Sequence, residues 1–137
     1  MRIYLDMDGT IADLYGENNW LTDLVNRNPR PYIKAKRMVE EKILENLVKN
    51  GHELAIVSWL AKDSTKEYDK AVRKAKREWL KINFPNIKFV EIHIVKYGTP
   101  KSIVVKEKNG ILFDDEERNR KEWKGLAVDA KELKNWK

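Results

Sequence analysis

Cysteine is absent from the chain, which excludes disulfide staples, thiolate zinc sites and cysteine nucleophiles. Histidine occurs only as His52 and His93, with no further histidine or cysteine at metal-ligand spacing. His52 follows a helix-stopping glycine and His93 sits in a strand-like run, so both read as structural. No apolar run is long enough to span a bilayer, and MRIYLD enters a strand-like segment without a long apolar stretch before it. A cytoplasmic protein with no membrane partner is therefore expected. Repeats and low-complexity tracts are also lacking.

What is present fits one folded domain spanning 1–137, since a chain of 137 residues can bury one core but not two. Five Trp, five Tyr and three Phe exceed the usual content of a disordered chain. The low mean hydropathy of −0.70 then implies an aromatic core under a heavily charged surface. A formal charge of +6 favours anionic partners such as nucleotides, phosphate esters or nucleic acid. Lysines and acids are interspersed, so a solvated lysine-rich surface explains the charge equally well.

Arg2 to Met7 is an apolar run ending in aspartates and a glycine, the pattern of a buried strand opening onto a loop. Residues 13–34 form a loop-like insert with a short helix at Trp20 to Val25. Val39, Ile43 and Leu47 recur at four-residue spacing and predict an amphipathic helix over Ala35 to Lys49, stopped by Asn50-Gly51. ELAIVS, from Glu53 to Ser58, predicts a second buried strand, with Asp63 and Ser64 as candidate caps of the next helix. Over Ser64 to Asn83 an apolar face of Tyr68, Val72, Ala75, Trp79 and Ile82 opposes a basic stripe of Lys70, Lys74, Arg77 and Lys81. Further strands are predicted at Lys88 to Val95, Gly110 to Phe113 and Leu126 to Val128, with a helix at Glu116 to Trp123. Such alternation implies an α/β fold, a mainly parallel sheet with helices on both faces. Ligands in open sheets of this kind bind outside the carboxyl ends of the strands. Asp6 and Asp8, Ser58, and Asp114 with Asp115 fall at three such ends.

The residues DMDGT at 6–10, Ser58 in AIVSW, Lys101 in GTPKS and Asp114-Asp115 after GILF occur in an order that resembles the haloacid dehalogenase-like (HAD) hydrolase superfamily. Within it, the chain looks most like small nucleotidase and deoxyribonucleotidase-type phosphatases. The resemblance implies a three-layer Rossmann-like fold, with the 13–34 insert as a minimal cap. It also implies that Asp6 attacks a phosphoryl group to give an aspartyl-phosphate, and that Asp8 serves as general acid and base. Clustered carboxylates facing an anionic substrate call for a hard divalent cation, and magnesium is expected. By resemblance its ligands are the Asp6 carboxylate, the Asp8 backbone carbonyl and Asp114, with Asp115 either a ligand through water or a group that orients the others. Gly9 would let the loop turn beneath the phosphate, Thr10 would donate a hydrogen bond, and Ser58 and Lys101 would stabilise the phosphoryl oxygens. Lys106 or Lys108 could take the place of Lys101.

Trp59, Trp20 and Tyr15 lie near the expected mouth, where an aromatic ring could stack on a nucleobase or belong to the core. The short stretch between Ile11 and the first sheet-packing helix suggests an open site. That leaves a small phosphorylated substrate, such as a nucleotide, and a terminal phosphate on nucleic acid as alternatives. The basic stripe would suit the second through phosphate contacts. A non-catalytic relative binding a nucleotide or partner in the same pocket, and a phosphotransferase, also fit the core motifs. The sequence leaves the oligomeric state open.

Overall fold

Residues 1–137, described by a computed structural model, alternate strand and helix. The first half contains β1 (Arg2–Leu5), β2 (Ala12–Asp13), α1 (Trp20–Val25), α2 (Arg30–Lys34), β3 (Lys36–Arg37), α3 (Glu41–Lys49) and β4 (Glu53–Trp59). The second contains α4 (Lys66–Asn83), β5 (Phe89–Val95), α5 (Lys101–Val104), β6 (Ile111–Asp114), α6 (Glu117–Glu122), β7 (Ala127–Asp129) and a 3-10 turn at Ala130–Asn135. No helix is long and apolar enough to cross a membrane.

Ile3, Tyr4 and Leu5 are all fully buried, which requires cover on both faces of β1. β1 lies between β4 and β6, and the five-stranded sheet has the order β5-β4-β1-β6-β7 with every pair parallel. The chain therefore runs outward to β5 on one side of β1 and then to β7 on the other. This reversal of winding makes the carboxyl end of β1 the natural place for a crevice.

Side chains alternate across a strand, and that period assigns the core to two faces. Leu5, Ile56 and Phe113 pack with Leu44 and Leu47 of α3 and Trp79 and Leu80 of α4. Tyr4, Ala55, Val57 and Leu112 pack on the opposite side with Val105 and Trp123, at the ends of α5 and α6. Each fully buried Leu, Ile or Phe contributes about 1.5–3 kcal/mol, so this two-sided core supplies the main favourable term.

Several boundaries differ from the sequence expectation for identifiable reasons. The helix predicted from Ala35 begins at Glu41, because Lys36 and Arg37 instead pair antiparallel with Asp13 and Ala12. The Ala35 carbonyl is already taken by the Trp79 indole N–H at 2.7 Å. The NRNPRP segment, read as loop, contains the start of α2, with Pro31 in the first turn where a missing N–H is tolerated. Thr65, rather than Asp63 or Ser64, caps α4 by accepting the Tyr68 N–H at 3.2 Å. Ile82 does not continue the apolar face of α4 but is 72% exposed, while Lys76 and Leu80 are buried. The short α5 and the 3-10 turn have no counterpart in the expected pattern.

Candidate active site

The DMDGT segment leaves β1 and folds back on itself within one turn. Asp6 N–H still bonds to Phe113 O at 3.0 Å, so Asp6 is fixed by the sheet ladder. The next residues wrap around Met7, whose carbonyl accepts from Thr10, Ile11 and Ala12, each at 3.0 Å. Gly9 has φ +82°, and a Cβ there would meet an Asp115 carboxylate oxygen at 2.3 Å. Glycine is required by both the left-handed backbone and the close approach of that acid. The buried Thr10 hydroxyl donates to Asp6 Oδ2 at 3.3 Å.

Carboxylates from two adjacent strand ends converge here. Asp6, Asp114 and Asp115 each place an oxygen within 4.8 Å of the others. Asp6 and Asp114 are buried, while Asp115 is partly covered and partly open to solvent. Burial first and the Asp6 charge second raise both Asp114 and Asp115 above the ordinary carboxylate range. Asp8 is raised too, by burial and by Asp6, against the opposing pull of Lys76. Asp114 Oδ1 accepts the Glu116 N–H at 3.0 Å, and its Oδ2 accepts Asn119 Nδ2 at 3.2 Å.

Two buried lysines enter from opposite faces of the sheet. Lys101, 3% exposed, donates to Asp6 Oδ1 at 2.9 Å and to Asp114 Oδ2 at 2.6 Å. Lys76, 1% exposed, reaches Asp8 Oδ2 at 2.9 Å and both Ser58 Oγ and Trp59 O at 2.8 Å. The strand period explains the division. Ser58 shares parity with Ile56 and faces α4, which carries Lys76; Asp114 shares parity with Leu112 and faces α5 and α6, which carry Lys101 and Asn119.

Lys76 is the main residue that the sequence reading passed over. Its signal was its place in the row Val72, Lys76, Leu80, which puts a lysine inside the buried stripe of α4. Asn119 was also missed. It is 5% exposed, and its Oδ1 is buried with no hydrogen-bond partner. Lys106 and Lys108, the alternatives to Lys101, lie elsewhere: the Lys106 backbone N–H meets Glu91, and Lys108 Nζ bonds to the carbonyls of Ser102 and Ile103. His93 contacts Glu91 and His52 the C-terminal residue, so neither joins the carboxylate cluster.

The residues present fit a hard cation. Their donors are carboxylate oxygens with no sulfur or imidazole among them, the set that magnesium or calcium takes. Four carboxylates, Asp6, Asp8, Asp114 and Asp115, face two ammonium groups, and one divalent ion would balance the excess.

Above the acids lies a cavity of about 210 Å³. The 13–34 insert walls one side of it with Leu14, Tyr15, Trp20, Leu24 and Tyr32, and another side stays open to solvent. Tyr15 and Trp20 meet edge to face at 5.1 Å, and burial first and the Asp8 charge second push the Tyr15 hydroxyl above its ordinary range. Trp59 lines the cavity but is buried, with Tyr97, Arg118 and Lys101 against its ring at 4.8, 5.3 and 5.7 Å. Its indole N–H donates to Thr99 O at 2.8 Å. The basic stripe Lys70, Lys74, Arg77 and Lys81 is exposed along α4. The sequence matches no protein-family model and no curated protein.

Proposed function

We propose that this chain is a magnesium-dependent phosphomonoester hydrolase of the HAD type, acting on a nucleotide or a related small phosphate ester. The observation that carries the reading is the convergence of Asp6, Asp114 and Asp115 at the carboxyl ends of neighbouring central strands, with Asp8 and two buried lysines beside them. Asp6 is the nucleophile: its carboxylate attacks phosphorus, the ester P–O bond breaks, and Asp8 gives its proton to the departing oxygen. Asp8 then takes a proton from water as that water attacks the aspartyl-phosphate and frees Asp6. The raised proton affinity of Asp8 suits the first of these tasks. Asp6, Asp114 and Asp115 would hold the cation, with the Asp8 backbone carbonyl, and the ion would neutralise charge on the phosphoryl oxygens. Ser58, oriented by Lys76, and Lys101 add positive charge and donors around the same oxygens. Gly9 and Thr10 shape the loop beneath them.

The aromatic wall of the insert favours a small, ring-bearing substrate over a polymer. The exposed stripe on α4 favours the second reading, a phosphatase for nucleic-acid ends. Phosphate release from nucleoside monophosphates, sugar phosphates, end-phosphorylated oligonucleotides and p-nitrophenyl phosphate, with magnesium or EDTA, separates the two. Asp6→Asn is expected to lower kcat by at least about 10⁴-fold, since the covalent route is lost. If no ester is turned over with magnesium, a binding protein of the same fold becomes the better account.

A further inference from the structure

We propose that Lys101 holds the place of the divalent cation among the carboxylates and yields it when cation and phosphate enter together. The inference deepens the phosphatase reading and rests on it. It begins from Asp114, whose hydrogen-bonding capacity is almost filled by protein. Its Oδ1 accepts the Glu116 N–H, while its Oδ2 accepts both Asn119 Nδ2 and the Lys101 ammonium. A carboxylate oxygen offers about two acceptor sites. A cation on Asp114 must therefore displace Lys101 from Oδ2 or share the carboxylate with it through Oδ1. Lys101 also occupies Asp6 Oδ1 at 2.9 Å, so it bridges two of the three acids that would bind the ion. Sharing sets an ammonium charge close to a double positive charge, in a buried place where screening is weak, so displacement is the arrangement that relieves the repulsion.

The two lysines are not equivalent in this respect. Lys76 directs its ammonium to Asp8, Ser58 and Trp59 O, which uses all three of its protons, and contacts none of the three clustered acids. Lys101 has two hydrogen-bond acceptors, and its ammonium lies 5.7 Å from the centre of the Trp59 ring in the wall of the cavity. One proton is thus without an oxygen partner. A phosphate dianion beside Asp6 supplies one, drawing Lys101 off the acids as the cation takes them. Asn119 keeps its hold on Asp114 during the exchange. Cation binding is then weak alone and strong with phosphate, and by reciprocity phosphate binding gains equally from the cation.

Calorimetric titration of magnesium into wild type, Lys101→Met and Lys101→Arg, with and without inorganic phosphate, tests this directly. Without phosphate, Lys101→Met is expected to bind magnesium at least tenfold more tightly than wild type, while Lys101→Arg, which keeps the charge, stays near wild type. Phosphate should strengthen magnesium binding several-fold more in wild type than in Lys101→Met. Equal or weaker magnesium binding by a folded Lys101→Met overturns the exchange, as does tightening of Lys101→Arg to the same degree. Should Lys101→Met not fold, lack of coupling between magnesium and phosphate in wild type overturns it instead. Failure of wild type and both variants to bind magnesium at millimolar concentration sinks the phosphatase reading as well. Magnesium-dependent turnover by wild type, together with magnesium affinity unchanged in Lys101→Met, sinks only the exchange.

Discussion

A lysine buried to 1% exposure inside a helix stripe is costly unless each of its protons is used. Lys76 meets that condition with a carboxylate, a hydroxyl and a carbonyl, and so ties the acid of the loop, Asp8, to Ser58 at the end of β4. Lys76→Met keeps an unbranched apolar stem but leaves Asp8 without its counter-charge and Ser58 unoriented. The variant is expected to retain its fold and to lose about 10²-fold or more in kcat on p-nitrophenyl phosphate, which steady-state kinetics beside a circular-dichroism spectrum would check. Survival of wild-type kcat would assign Lys76 a purely structural part. At this scale the sequence was legible wherever a residue type stood out against its surroundings. Aspartates ending an apolar strand are conspicuous, whereas one lysine among the many of a basic helix is found only by asking which face it lies on. Asn119 gave no such signal, because its place depends on how α6 packs beneath Asp114.

Elements differ in how much of their shape is local. The long helix α4 declares itself through periodicity, and the buried strands through apolar runs. The insert does so only in part: α1 falls where a short helix is expected, but it contains no buried residue, and α2 begins inside a proline cluster. What gathers it is Arg30, whose guanidinium meets Asp23 at 2.7 Å, Glu17 at 3.1 Å and the Asn18 carbonyl at 2.7 Å. Tyr68 of α4 then fastens the insert by donating to Asn28 O at 3.1 Å. These contacts could not be read along the chain because they join residues whose pairing the local sequence does not specify. The ion pairs are partly exposed, so Arg30→Ala is expected to leave global stability little changed. Its larger effect falls on the wall of the cavity. KM for ring-bearing esters should rise several-fold with kcat little changed, and proteolysis should find the 13–34 segment first. Unaltered KM and protease resistance would deny Arg30 this organising role.

At the scale of the whole molecule, strands β1 and β5 and the segment after α5 are fastened on one face of the sheet by a second polar network away from the carboxylate cluster. Glu91 of β5 is buried and accepts from Tyr4 of β1, from Arg2 at 2.7 Å, and from the Lys106 N–H at 2.9 Å, with His93 at 2.8 Å. Burial would raise its proton affinity, but Tyr4, His93, Lys106 and Arg2 outweigh that and bring it down to about 2. A carboxylate depressed in the folded state contributes stability above its unfolded value and loses it as pH falls toward the folded one. Glu91→Gln is therefore expected to cost about 3 kcal/mol near neutrality. The cost should shrink as pH drops from about 4.5 toward about 2, followed by urea unfolding across that range. A penalty independent of pH would remove the charge from the explanation. The parallel sheet itself was legible from the alternation of elements, yet this network was not, because its partners are far apart in sequence. The same separation governs the acidic centre, where Lys101 meets Asp6 across 95 positions of sequence. On a ribosome, β1 emerges well before β4 and β6 and must wait for the first to pair one edge and for the second to pair the other. Its apolar flanks and the DMDGT loop thus spend most of synthesis without their final neighbours, and the three clustered acids come together only once β6, the last central strand, is in place.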